Sequence, residues 1–380
     1  MKLFEFEGNQ LFRREGIPVP DFALASSIEE VRQKVQTIGL PVVIKGQVLT
    51  GGRWLAGGVK TADSLDEAEK AARNILGLSI RGHIVKQVMI APKVESSKEF
   101  YIGVTLDEYR GTSLVILSAE GGVSINEIAF SRPESVVTRS VSITEGLLPS
   151  TAKQMCHDVG LSGKDLTQVA GIMVDLYRVF RKYDALVAEI NPLVQTTTGN
   201  FIALDAKVEM DDSSLFRHAE LNLNIAERIS NPLELLGKQI GVTYVELDGD
   251  VGVIASGAGL GMASIDIISK KLRPANFLET GGAITADLLY KVMDLILKKP
   301  GIRAILINVY GGINPIHEGA KGVVRYIQEH NVTIPIVAKA LGNHQEETWE
   351  IFRSAGVHVV TEVSTEAAVE KLVQLLEGKV

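Results

Sequence analysis

Residues 185–208 read ALVAEINPLVQTTTGNFIALDAKV, two strand-like runs on either side of the polar stretch TTTGN. Apolar runs flanking a glycine-containing turn predict a β-hairpin. A register symmetric about Thr198 sets Asn191 opposite Asp205 and Glu189 opposite Lys207. Directly opposed Cβ atoms lie about 4.5–5.5 Å apart, and the two-residue side-chain period puts all four on one face. A hard divalent cation takes oxygen ligands, and Mg²⁺ keeps several sites for water and phosphate while using one or two protein groups. Asn191 and Asp205 are therefore candidate metal ligands. The pattern by itself fits a solvated polar face on a buried hairpin equally well.

Upstream of the hairpin, Ser27 with Glu30 and Ser64 with Glu67 fit the Ser-x-x-Glu pattern of helix starts. Between these helices and the hairpin lie apolar runs at 41–46, 83–90, 100–106 and 113–119. Their crowding and uneven spacing predict an α+β domain rather than a repeating βαβ unit. The segment QVLTGGRWLAGGVK, at 47–60, follows one of these strands and places Gly51, Gly52 and Arg53 shortly after Lys45. Glycine permits close backbone approach and the two cations neutralise phosphate oxygens, so a phosphate-covering loop is one reading and a flexible surface hairpin the other. No Walker-type Gly-Lys-Ser/Thr ending is present.

Downstream, from Tyr244, apolar strands at 251–256, 275–278, 303–309, 334–339 and 357–361 alternate with helical stretches. Runs that are apolar throughout indicate a parallel sheet covered on both faces, with ligands gathering at the strand C-termini. The expected organisation is two domains, 1–235 and 236–380, joined through SNPLELLGKQIG at 230–241. Three of the strands end in glycine turns, at Gly257 and Gly259, at Gly281 and Gly282, and at Gly311 and Gly312. Such turns suit a small anionic substrate, and also efficient strand-to-helix packing. A dinucleotide fingerprint competes at the first, with Glu279 downstream, but Met262 stands at its third glycine position.

Composition narrows the function classes. A net charge of −7 argues against nucleic acid and anionic membranes as partners. The single cysteine, Cys156, excludes an internal disulfide and a cysteine-clustered metal site. With neither a secretory pattern at the start nor an apolar run of spanning length, the expected compartment is the cytoplasm, or an organellar matrix if a transit peptide has been removed.

The ordered set FEGNQLFRREGIPVP, QVLTGGRWLAGGVK, KEFYIGV, SAEGGV, EINPLV, ALDAKV, LFR, GAGLGM, ANFLETGG and INVYGGI resembles the β subunit of succinyl-CoA synthetase over almost the whole chain. The resemblance implies an N-terminal ATP-grasp domain and a doubly wound, flavodoxin-like CoA-ligase domain. It also implies a reaction in which ATP or GTP phosphorylates a histidine on a separate α subunit. That histidine passes the phosphoryl group to a small carboxylic acid, and CoA, bound mainly by the α subunit, attacks the acyl phosphate. Carried onto this chain, Lys45, Gly52, Arg53 and Glu99 meet the nucleotide, Asn191 and Asp205 hold Mg²⁺, and Glu189 orients the visiting histidine. Gly257, Ala258 and Gly259 open the helix that faces the phosphohistidine, and Ser256, Gly312 and Ile313 receive the acid. None of the seven histidines here has the glycine-rich setting of the phosphorylated one, so a cognate α subunit is expected, in an αβ or α2β2 assembly.

Departures from the family pattern cluster near ligands. Trp54 replaces the second glycine of the usual Gly-Arg-Gly and Ala91 stands where an adenine-side glutamate is common, leaving ATP and GTP both open. Ser256 replaces a substrate-binding asparagine, and NPIHEG at 314–319 replaces the familiar Arg-Cys-Asp stretch. Malate, citrate and sulfoacetate therefore stand beside succinate as acids, with His317 a specificity residue if it meets an extra polar group. A dehydrogenase and a non-catalytic regulatory subunit are the competing classes.

Overall fold

The computed structural model describes residues 1–122, 125–282 and 284–378, and divides into two compact units, Met1–Leu223 and Asn224–Val380. Val123, at the end of SAEGGV, lies outside the described residues.

Every strand pairing in the first unit is antiparallel. One sheet of four strands, Ala23–Ala25, Val88–Pro92, Val42–Gly46 and Val59–Ala62 in spatial order, packs against helices Ile28–Ile38 and Leu65–Ile75. Both helices start where the sequence places them: the Ser27 and Ser64 hydroxyls accept from the Glu30 and Glu67 backbone N–H. The reciprocal half of each cap is displaced, because the two glutamates accept from Ser26 and Asp63, one residue earlier. The larger sheet centres on strand Ala185–Thr196, flanked by Ser96–Asp107 on one side and by Phe201–Ala203 and Lys207–Met210 on the other. Helix Gly163–Lys182 buries Val169, Met173, Leu176 and Phe180 in the same core. Cys156 is part of this core, and burial pushes its thiol up to about 12, so it is packing material rather than a nucleophile.

In the second unit the parallel strands Val251–Ala255, Asn276–Glu279, Ala304–Gly311, Ile336–Gly342 and His358–Val359 lie in the order second, first, third, fourth, fifth. That is the flavodoxin-like order, whose switch point falls between the first and third strands. Residues along each strand alternate between two cores. Ile254, Ile305 and Ala338 join helices Ala286–Leu297, Ile316–His330 and Gln345–Ser354, whereas Val253, Leu306 and Val337 join Ala258–Ser269 and Thr365–Leu376. Both faces are thus covered, which is why the strands read as unbroken apolar runs.

Two features differ from the sequence reading. Thr243–Glu246, unassigned in the sequence, forms an antiparallel edge strand on Asn276–Glu279. The segment expected to connect the units is instead a helix of the second one, Pro232–Ile240, started by the Asn231 side chain and ended by Gly241 at φ +87°. Its Leu233, Leu236 and Ile240 pack into the second unit's core, an amphipathic pattern that a short stretch between two domains conceals. Among the described residues no helix is long and apolar enough to cross a membrane.

Candidate functional site

The hairpin has the expected register. Glu189 pairs with Lys207, and Leu193, Val194 and Gln195 pair with Ala203, Ile202 and Phe201. Between these ladders, at Asn191–Pro192, regular pairing lapses because proline has no N–H to donate. The Leu204 N–H donates to the Pro192 carbonyl and keeps the strands in step, so Asn191 and Asp205 occupy opposed positions in the register.

Asp205 is one corner of a charge cluster. Arg53 donates from Nη2 to its Oδ1 at 2.8 Å, and from Nη1 to Glu5. Lys45 reaches Glu5 Oε1 at 2.8 Å and also donates to the Leu204 carbonyl. Burial works against the Asp205 charge, but Arg53 and Lys45 outweigh it and hold the carboxyl below its usual range. Two cations and two carboxylates balance, with Glu5 almost completely buried at 1% side-chain exposure. The loop carrying Arg53 turns at Gly52, φ +79°, and closes through the Gly58 N–H onto the Arg53 carbonyl. Arg53 is thereby turned inward while Trp54 is 70% exposed. Beside the cluster a mostly apolar cleft is lined by Phe22, Val43, Lys45, Met89, Ala91 and Asn9, whose buried amide oxygen has no hydrogen-bond partner.

Glu189 lies along the same hairpin. Lys207 Nζ contacts its Oε2 at 2.9 Å, and the Tyr101 hydroxyl hydrogen-bonds to it. Burial, followed by the Glu189 charge, drives the Tyr101 hydroxyl far above its ordinary pKa, keeping it a neutral donor. Gly103 makes room for this ring: a Cβ there would lie 2.5 Å from the Tyr101 hydroxyl. Gly103→Ala is expected to cost about 1–3 kcal/mol by overpacking. Thermal unfolding should show the loss, and Tyr101→Phe in the same background should recover part of it, since the hydroxyl is the atom struck hardest while the ring carbons at 2.9 and 3.0 Å remain.

Glu99 and Asn191 meet the glycine loop rather than the charge cluster. The Gly122 N–H donates to Asn191 Oδ1 at 2.8 Å, and a Cβ at Gly122 would strike Glu99 Oε2 at 2.5 Å. Gly121 passes so close to the Phe100 backbone that a Cβ would sit 2.7 Å from its carbonyl oxygen. The EGG sequence therefore lets this loop lie directly on the strand that carries Glu99.

In the second unit the expected residues gather at the switch point. Ser256 ends the first strand, and its hydroxyl accepts from the Tyr310 N–H at 2.9 Å, tying it to the third. Gly257 caps helix Ala258–Ser269 with no side-chain hydrogen bond, so the first-turn N–H groups at Ala258 and Gly259 have no cap acceptor, and the helix dipole there favours negative charge. Gly312 and Ile313 are exposed at the end of the third strand, and His317 starts the following helix. Glu279, the ribose-binding alternative, accepts from the Gly281 N–H and the Thr243 hydroxyl.

Sequence reading missed Glu5 and Tyr101. Glu5 immediately precedes the FEGNQLF run, and a glutamate there looks like an ordinary acidic residue of a helix's first turn. Only the fold shows that it is buried against two cations.

A family model for an ATP-grasp domain matches residues 2–195, and one for CoA-ligase matches 254–373. The chain is 40% identical over 369 residues to the GDP-forming succinate–CoA ligase subunit beta of Thermus thermophilus, covering 97% of each protein. It is 39% identical over 380 residues to the ADP-forming succinate–CoA ligase subunit beta of Desulfurococcus amylolyticus, covering 100% of each. A solved structure of ATP citrate lyase from Methanothrix soehngenii in complex with citrate and coenzyme A has a TM-score of 0.80 over 98% of this chain and 99% of that one. Its 19% identity makes this a likeness of fold. With both domain models in chain order and relatives matched end to end, the chain belongs to the succinate–CoA ligase β-subunit family.

Proposed function

We propose that this chain is the nucleotide-using β subunit of an acid–thiol ligase that forms an acyl-CoA from a small carboxylic acid, CoA and ATP or GTP, with ADP or GDP and phosphate released. Succinate is the default acid, from the relatives' names. The observation that carries the reading is the convergence of Lys45 and Arg53 on Glu5, with Arg53 also paired to Asp205, beside an apolar cleft, an arrangement suited to a base in the cleft and phosphates at the cations. Relatives named for ADP and for GDP are both similar to this chain, and Ala91 in the cleft wall puts no charge against either purine.

Asn191 and Asp205 fit a Mg²⁺ site by donor chemistry: both offer oxygen, and Asp205 is held ionised by its cationic neighbours. Mg²⁺ bound there would neutralise charge on the nucleotide's phosphates. Lys45 and Arg53 add fixed positive charge where a transferring phosphoryl group spreads negative charge over its oxygens. Glu189, oriented by Lys207 and Tyr101, serves as the acceptor that holds a partner's imidazole in the tautomer needed for attack. The visiting histidine belongs to a cognate α subunit, in an αβ or α2β2 assembly. In the second unit Gly257 to Gly259 point a helix N-terminus at the phosphohistidine, and Ser256, Gly312 and Ile313 receive the acid at the switch point.

The test is acid-dependent release of ADP or GDP by this chain reconstituted with its cognate α subunit, CoA and Mg²⁺, across succinate, malate, citrate and sulfoacetate. Turnover led by succinate supports the default, and preference for another acid moves the assignment to Ser256 and the 314–319 stretch. No turnover by an assembled complex with any of these acids would move the assignment to an acid outside the panel or to a regulatory subunit.

A further inference from the structure

His317, His344 and Glu347 each offer a ligand atom, and these atoms all lie within 4.8 Å of one another, the single such His/Cys/Asp/Glu group among the described residues. They come from two neighbouring strand ends. His317 follows strand Ala304–Gly311, and His344 with Glu347 follow strand Ile336–Gly342. Gly311 and Gly342 are parallel partners, and a Cβ on Gly342 would sit 2.2 Å from the Gly311 carbonyl oxygen. The Asn343 N–H donates to that same carbonyl at 2.7 Å. This close approach of two loops brings the imidazoles of His317 and His344 to a centroid separation of 4.5 Å. His344 is held at φ +57°, a left-handed conformation sparsely used by residues with a side chain.

The hydrogen bonding around His317 uses one ring nitrogen and leaves the other without a partner. Its Nε2 lies 3.1 Å from Glu318 Oε1, and Glu318 is anchored in turn by Lys321 Nζ at 2.6 Å. A carboxylate partner makes Nε2 the N–H nitrogen, so in the neutral ring Nδ1 carries the lone pair. That Nδ1 is buried and has no hydrogen-bond partner. A histidine that donates one nitrogen to a carboxylate and keeps the other buried without a partner has the usual outer support of a metal ligand, and a nitrogen of this ring lies within 4.8 Å of ligand atoms of His344 and Glu347. Glu318 and Glu347 together outweigh the Lys321 ammonium beside them and leave the surroundings a net negative charge, which favours a cation over the carboxylate or sulfonate of an acid substrate. An open recess bounded by Gly342, Gln345 and Glu346 supplies the way in.

We propose that His317, His344 and Glu347 form a binding site for a divalent transition metal of the zinc class at the C-terminal edge of the second unit's parallel sheet. Two imidazoles and a carboxylate are borderline donors that suit Zn²⁺ and reject Mg²⁺, which demands oxygen. Metal–ligand bonds of about 2.0–2.2 Å require the ligand atoms to close up, and His344 and Glu347, each with a half-exposed side chain, are able to turn toward His317. Three protein ligands leave a fourth position open toward the recess, as in sites that exchange a ligand rather than closed structural ones. The site's residues belong to the second unit and those of the proposed Mg²⁺ site to the first, and the proposal does not depend on which acid the protein uses.

The experiment is equilibrium dialysis of the EDTA-stripped full-length chain against ZnCl2, with bound metal counted by mass spectrometry and Co²⁺ substituted for its absorption spectrum. About one equivalent of zinc is expected, with Co²⁺ bands of tetrahedral intensity and a zinc-dependent rise in Tm. His344→Ala, at an exposed position, should fold normally and weaken zinc binding by roughly 10- to 100-fold, and His317→Ala should do the same. Asp205→Asn should leave the stoichiometry unchanged. Absence of zinc binding by the wild-type chain, or the same affinity in the His317→Ala/His344→Ala double variant, overturns the proposal.

Discussion

Asp205→Asn is expected to reduce nucleotide-dependent phosphoryl transfer by about 10²–10³-fold, the usual loss when one preorganised electrostatic group is removed from such a site. The substitution is nearly isosteric, and Asp205 is only partly enclosed, with 35% side-chain exposure. The fold should therefore survive, and the effect should appear as a lower kcat with a raised Mg²⁺ requirement in the reconstituted complex. The variant loses one of Arg53's two carboxylate partners, but Glu5 continues to hold the guanidinium. Unchanged activity and Mg²⁺ dependence would remove Asp205 from the site.

The same variant carries a pH signature. The folded-state carboxyl of Asp205 lies below its ordinary value of 3.8, because Arg53 and Lys45 overcome the cost of burial. A group with a depressed folded pKa contributes stability above its unfolded pKa and loses it as pH falls through the folded one. The stability difference between wild type and Asp205→Asn should therefore be fully developed at neutral pH and shrink in acid below about pH 4. Urea midpoints measured at a series of pH values check this, and a difference that grows in acid would contradict the ion-pair assignment.

How far the sequence reveals this protein depends on whether a feature is local. The hairpin register was readable because a symmetric turn and a two-residue period fix every opposed pair, and Glu189 meets Lys207 as counted. The doubly wound unit was readable because apolar runs and glycine turns recur at crossover spacing, although Thr243–Glu246 escaped as a short, half-exposed edge strand. Contacts made across long stretches of chain left no local trace. Glu5 meets Lys45 and Arg53 only after its helix, Glu5–Arg14, and the glycine loop have packed together. Gly103 looks like a weak point within a strand until Tyr101 is seen lying over it. His317 was visible as a residue of unassigned role, but its partner His344 lies beyond another helix and strand, and nothing in the 314–319 stretch announces it.

Glu5→Ala is expected to be the most destabilising single change in the site, costing about 3–5 kcal/mol, because it strands buried cations without their common partner. Lys45 would keep only the Leu204 carbonyl, and Arg53 only Asp205 and a long contact to the Gly46 carbonyl. Thermal unfolding of the first unit should fall by on the order of 10 °C. Lys45→Met added to Glu5→Ala should restore part of the loss, since it removes the lysine charge that Glu5→Ala leaves unpaired, and the coupling should fall in the range of about 0.5–3 kcal/mol. Function adds an independent readout. If Lys45 and Arg53 are the phosphate contacts, Glu5 competes with the nucleotide for them, and ADP should raise the Tm of Glu5→Ala by more than it raises that of the wild type. Equal or smaller stabilisation by ADP would mean that Glu5 only supports the fold and that the two cations do not turn toward phosphate.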